Sequence, residues 1–177
     1  MTLNYLTDED DWLAFQIYHM KHSKSMKKSS ESLRYIGFAL TVLIAYVMYR
    51  RYHVPIIYWF FYFGLSITWV LKYPKYIEKN YAKQARNMLS EDENRAYLGK
   101  DLLKMDDHGL TLSNDHRTYI LKWSVFNKVC LTEEHIFIYD SSVSACIIPA
   151  SAFENADAMK SFYEHVEDKI SLIQLGH

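Results

Sequence analysis

Glycine is scarce in this chain, five in 177 residues, and cysteine scarcer still, with two. Five scattered glycines cannot furnish a phosphate-cradling loop, which needs several within one turn so that the backbone can approach phosphate oxygens. Two cysteines, Cys130 and Cys146, exclude a framework of two or three disulfides. Both fall in strand-like segments and are expected to be reduced and packed rather than bridged or metal-bound. Excess charge is also lacking: a net charge of −1 denies the chain the positive field of a general nucleic-acid binder. No serine elbow is present, and no cysteine has a convincing histidine partner. The expectation is a protein without catalytic residues, cofactor or metal.

What the chain does have is apolar residues, concentrated in one place. They make up 50% of the sequence and aromatics 16%, yet mean hydropathy is only −0.19. The concentration runs from Leu33 to Leu71, as two stretches, 33–49 and 54–71, split by Arg50, Arg51, His53 and Pro55. Each is apolar all round rather than on one face, and each lies at the short end of the roughly 17 to 25 residues that span a bilayer. Tyr35, Tyr46, Tyr49, Tyr52, Tyr58, Trp59, Trp69 and Tyr73 crowd their ends, where amphipathic rings meet lipid headgroups. Lys21, Lys24, Lys27 and Lys28 precede the first stretch, Arg34 stands at its edge, and Lys72, Lys75, Lys79, Lys83 and Arg86 follow the second. By the positive-inside rule this predicts a two-helix transmembrane hairpin in the cell membrane with both termini cytoplasmic. Pro55 suits the first turn of the second helix. The acidic start, "MTLNYLTDEDDW", does not read as a cleavable signal.

Small residues recur every four positions: Gly37, Thr41 and Ala45 in the first helix, Gly64 and Thr68 in the second. They are expected to pack the hairpin, Gly37 near the depth of Thr68 and Thr41 near that of Gly64, and the same face leaves a homo-oligomer open. Asp, Glu, Lys and His are absent from mid-span, so the usual marker of an ion pathway is missing.

The flanks divide into three parts. Residues 1–32 are expected to hold a cytoplasmic amphipathic helix over about residues 7–30, started by a Thr7-x-x-Asp10 capping box, striped by Leu13, Ile17 and Met20 and turning basic and polar toward its end. The lysines of that end are accounted for by topology, with contact to anionic lipid as the second reading. His19 and His22 lack a third ligand. Residues 72–95 are expected to form a juxtamembrane helix ending in the acidic "SEDENR".

From residue 96 to 177 the pattern becomes short apolar stretches parted by turn residues, then a helix from about 155 to 172 striped by Ala156, Met159, Phe162, Val166 and Ile170. This predicts an α+β protein whose C-terminal domain is an antiparallel barrel or meander capped by a helix. Asp106, Asp107 and His108, with Asn114, Asp115 and His116, are a tempting metal cluster if a hairpin brings the two turns together. Turn chemistry explains the same residues, and no site is assigned to them. From Arg95 onward, eight Lys or Arg face twelve Asp or Glu, which favours a protein partner over lipid phosphate for this domain.

Several stretches together carry a family resemblance. The N-terminal "YLTDEDDWLAFQIYHMKHS", the hairpin, "ENRAYLG" leading to "MDDHGLTL", and "WSVFNKV…HIFIYDSSVSACIIPASAF" before the last helix resemble the YcxB-like family of bacterial membrane proteins over nearly the full length. The resemblance implies a cytoplasmic domain similar to pleckstrin-homology domains and brings no catalytic residues. The function expected is that of a membrane-anchored interaction protein, an adaptor or regulator that includes a self-protection or immunity role. The alternative is a lipid- or envelope-stress-sensing module.

Overall fold

The computed structural model describes residues 1–89 and 98–175. The expected acidic end of the juxtamembrane segment, "SEDENR", lies outside the described residues. The chain divides into two compact units, Met1–Phe15 with Ala85–His177, and Gln16–Gln84.

The first unit is α+β. In chain order its elements are β1 (Thr2–Thr7), the start of α1 (Glu9–His22), then β2 (Gly99–Met105), β3 (Gly109–Ser113), β4 (Thr118–Lys122), β5 (Lys128–Leu131), β6 (His135–Tyr139), β7 (Ala145–Pro149) and α4 (Ala156–Leu175). They form a four-stranded sheet, β1-β2-β3-β4, and a three-stranded sheet, β5-β6-β7, antiparallel throughout. No ladder joins the two sheets among the described residues, so the expected barrel is a pair of sheets rather than a closed cylinder. A 3₁₀ turn at Trp123–Val125 carries the chain from β4 of one sheet to β5 of the other. The shared core holds Leu103, Leu110, Trp123, Phe126, Ile136, Ile138 and Ile148 from the sheets. Met159, Phe162, Val166 and Ile170 of α4 close it, at the helical spacing read from the sequence. Asn155 caps α4 by accepting the Ala158 N–H at 2.8 Å.

The N-terminus departs from expectation. Thr2–Thr7 is not the approach to a helix but an edge strand whose Leu3, Tyr5 and Thr7 point inward, paired with β2 from Thr2↔Lys104 to Thr7↔Gly99. The unit containing residues 98–175 thus also takes in Met1–Phe15, which the expected 1–32 boundary separated from it. The helix cap moves by one residue accordingly. Asp8 accepts the Asp10 and Asp11 N–H groups at 2.9 Å, and Asp11 accepts the Asp8 N–H at 2.9 Å, a reciprocal box in place of Thr7-x-x-Asp10. α1 ends at His22 rather than near residue 30. Its first half covers the outer face of β6: Phe15 meets Phe137 and Tyr139 at ring distances of 5.5 and 5.7 Å, and Asp11 contacts His135 at 2.8 Å. Every residue of β6 is buried for that reason, one set of side chains facing the core and the other facing α1.

The second unit is helical. α2 runs Lys24–Tyr52 and α3 Ile57–Leu89, part of which lies in the first unit. α3 does not stop near Leu71 to begin a separate juxtamembrane helix; it continues through Pro74. α2 ends on His53, whose left-handed backbone (φ 52°) donates its N–H to the Tyr49 carbonyl at 3.1 Å. Pro55 lies two residues ahead of α3 instead of in its first turn. Among the described residues α2 is the helix long and apolar enough to cross a membrane. The apolar part of α3 begins only at Ile57 and meets Lys72 and Pro74, so the second of the two expected spans falls short of that measure.

Candidate functional site

The turn residues separate on folding. Asp106 Oδ1 accepts the backbone N–H groups of His108 (2.7 Å) and Gly109 (3.0 Å), and Asn114 Oδ1 accepts those of His116 and Arg117 at 3.0 Å. Asp107 pairs with Lys169 at 3.0 Å, a contact that holds its carboxyl below the usual range. Successive turns of a meander fall at opposite ends of the strand between them. The two clusters are therefore roughly 14 Å apart along β3, at about 3.4 Å per residue, and cannot share an ion. Among the described residues no group of three candidate ligands converges.

A polar cluster that the sequence did not suggest lies at the Asn114 end of the sheets. β1 and β2 set Tyr5 opposite Asp101, both buried. Thr7 Oγ1 donates to Asp101 Oδ2 at 2.7 Å and Asn114 Nδ2 to Asp101 Oδ1 at 3.0 Å, so each carboxylate oxygen has a donor. Tyr5 Oη lies 3.9 Å from Cys146 Sγ. Beside them a cavity of about 250 Å³ is lined by Leu110, Leu112, Leu121, Arg117, Asp140 and Cys146. Burial pushes the Tyr5 hydroxyl far above its ordinary value. Burial pushes the Cys146 thiol up to about 12 as well, against a pull downward from its hydrogen bond to Tyr5. A thiol and a phenol both held protonated are not nucleophiles at neutral pH. The cluster joins strands; it does not activate a group.

Cys130 and Cys146 are both free, as expected, and their strands flank β6 on opposite sides. The raised thiol predicts an alkaline weakness. Unfolded, Cys146 titrates near 9.0 and folded near 12, so between those values the unfolded chain loses a proton that the folded chain keeps. Stability should then be intact below about pH 9 and fall above it, by about 1.4 kcal/mol per pH unit from this group. Denaturant unfolding at rising pH measures the slope, and Cys146→Ala should make it shallower; an unchanged slope contradicts the assignment.

In the helical unit the helix-packing residues divide. α2 and α3 run antiparallel and meet along a seam. A Cβ on Gly37 would strike the Trp69 indole, the Thr41 and Ser66 hydroxyls share a hydrogen bond, and Ala45 is buried. Gly64 faces open space, and Thr68 is exposed, its hydroxyl donating to the Gly64 carbonyl at 2.8 Å, so both lie off the seam. The partners of Gly37 and Thr41 are Trp69 and Ser66 instead. The stripe Tyr62, Ser66, Tyr73 and Ile77 has the spacing of a helix seam, but among so many apolar neighbours only its serine stands out.

The basic residues do gather. Lys21 contacts Glu78 at 2.8 Å and the Tyr81 hydroxyl donates to Met26 Sδ at 3.3 Å, so Lys21, Lys24, Lys27 and Lys28 share one end of the helix pair with Lys72, Lys75 and Lys79. All seven are exposed. The sequence reading missed Arg34 with Pro74. Proline has no N–H, which leaves the carbonyl four residues back, Val70, without its helical donor. Arg34 Nε supplies one at 2.9 Å.

Comparison with known proteins adds one finding. Residues 106–166 match the family model described as YcxB-like protein. The matched segment runs from the β2–β3 turn into α4 and includes both hairpins of the three-stranded sheet. No curated protein and no solved structure matches the chain.

Proposed function

We propose that the chain is a two-pass membrane protein: α2 and α3 cross the bilayer as a hairpin with both termini cytoplasmic, and the sheet domain binds a protein partner without catalysing a reaction. The observation that carries this is inverted polarity. Ile36, Leu40, Leu43, Ile44 and Val47 of α2 and Ile57, Phe60, Phe61, Phe63 and Ile67 of α3 are all exposed, while Ser66 is 1% exposed and meets Thr41 inside. In water such a pair would turn over to hide its apolar side chains; in lipid, hydroxyls facing each other and hydrocarbon facing out is the stable arrangement. α3 carries the same outward face as α2, which is why a short second span is proposed.

Four strands, then three, then a C-terminal helix supports a pleckstrin-homology-like reading of the sheet domain. Its acidic balance and the exposed Tyr119 and Ile120 on the edge strand β4 favour a protein over a lipid as its ligand. An adaptor, a regulator or a self-protection protein that intercepts a toxin would act by occupancy alone, and tethering raises its effective concentration toward membrane partners. Affinity capture with the intact protein, run beside liposome flotation of the sheet domain rebuilt from residues 1–15 and 85–177, tests this. Capture of a specific membrane protein that is lost on Ile120→Asp is expected. Salt-sensitive flotation without a protein partner would favour the lipid-sensing alternative.

A further inference from the structure

We propose that the lysine-bearing end of the α2–α3 pair holds a phosphate-binding site, and that its ligand is the headgroup of an anionic phospholipid. A cavity of about 250 Å³ lies there, lined by Lys21, Lys27, Ser30, Glu31, Arg34 and Glu78. Arg34 gives the site its geometry. Its Nε is committed to the Val70 carbonyl that Pro74 leaves without a helical donor, and this contact fixes a half-buried guanidinium between the two helices. Among the described residues Arg34 makes no other hydrogen bond or ion pair, so both Nη groups remain. A guanidinium held by one edge presents the other as a two-pronged donor that matches two oxygens of a phosphate.

The neighbours add to this. Lys27 is exposed at the same cavity and Ser30 offers a hydroxyl. Of the two carboxylates, Glu78 is engaged by Lys21 at 2.8 Å, which leaves Glu31 against Lys27 and Arg34. The source of the phosphate follows from position. Leu33, next to Arg34 in the chain, and Leu71, next to Lys72, are exposed apolar residues at the margin of the basic cluster, where acyl chains would run from a bound headgroup. A basic cavity between spanning helices on the cytoplasmic side is where anionic headgroups bind. The inference rests on the spanning reading of α2 and α3.

Native mass spectrometry of the full chain in detergent, offered phosphatidylglycerol and phosphatidylcholine in equal amounts, tests it. The wild type should retain phosphatidylglycerol in preference, by roughly tenfold or more. Lys27→Gln with Arg34→Gln should abolish the preference, whereas Lys75→Gln with Lys79→Gln, which removes the same charge outside the cavity, should keep it. If Arg34→Gln unpacks the helices, Lys27→Gln alone carries the test, because that exposed side chain makes no hydrogen bond or ion pair among the described residues, and it should lower the preference several-fold. Millimolar inorganic phosphate or glycerol phosphate should leave the lipid in place; displacement by either reassigns the site to a soluble phosphate and overturns the lipid assignment. Equal retention of both lipids, or an equal loss in the Lys75/Lys79 control, overturns the site itself. Release of the chain from membranes by alkaline extraction instead overturns the spanning reading, which separates the two failures.

Discussion

Removing Met1–Thr7 is expected to unfold the sheet domain, although those residues lie far from it in sequence. The deletion takes out Leu3, Tyr5 and Thr7, all buried, together with the whole β1–β2 ladder. Asp101, buried in the intact domain, loses its 2.7 Å donor. Two large side chains and a buried carboxylate left short of a partner sum to about 5 kcal/mol or more, comparable with the entire stability of an ordinary domain. The shortened protein should show no cooperative transition for the sheet domain by near-ultraviolet circular dichroism, and proteolysis should cut between β2 and α4. An unchanged melting temperature would mean that β1 is peripheral.

Phe162→Ala should be the most damaging single change in α4, costing about 3 to 5 kcal/mol. The ring is 3% exposed and packs on Phe153 at 5.4 Å between ring centres. Leu172, on the same helix but 68% exposed, is the control, and Leu172→Ala should move stability by less than about 0.5 kcal/mol. Denaturant unfolding of the two variants decides the matter; equal effects would mean that α4 does not cover the core.

The parts of the fold legible in the sequence are those set by local pattern. Met159, Phe162, Val166 and Ile170 announce their helix by spacing, and Asp106 and Asn114 announce their turns by hydrogen-bonding their own backbone, as both do. β1 was hidden because its alternation is impure: it turns Thr7 inward and leaves Leu6 56% exposed, and only a partner strand beginning at Gly99 makes sense of that. Pro74 reads as a helix stop from local rules, and it fails to stop α3 where Arg34, forty residues away in sequence, replaces the missing donor. The helix seam was half visible. Gly37, Thr41 and Ala45 mark the α2 side, but on α3 the small pair Gly64 and Thr68 drew attention from Ser66, because sequence spacing does not say which of several apolar stripes faces the partner. The Tyr5–Asp101–Cys146 cluster could not be read at all, since it joins residues of three strands that only the paired sheets bring together.

Whether α2 and α3 cross the membrane together is tested most directly by residue accessibility in intact cells. Single cysteines at Tyr52, the last residue of α2 before the short connection, at Lys28 and at Leu175 are each exposed to a membrane-impermeant maleimide, with native Cys130 as the interior control. A hairpin that spans should be labelled at position 52 and protected at 28 and 175 until the cells are lysed. Labelling at 175 in intact cells, or protection of 52 before and labelling only after lysis, would contradict it.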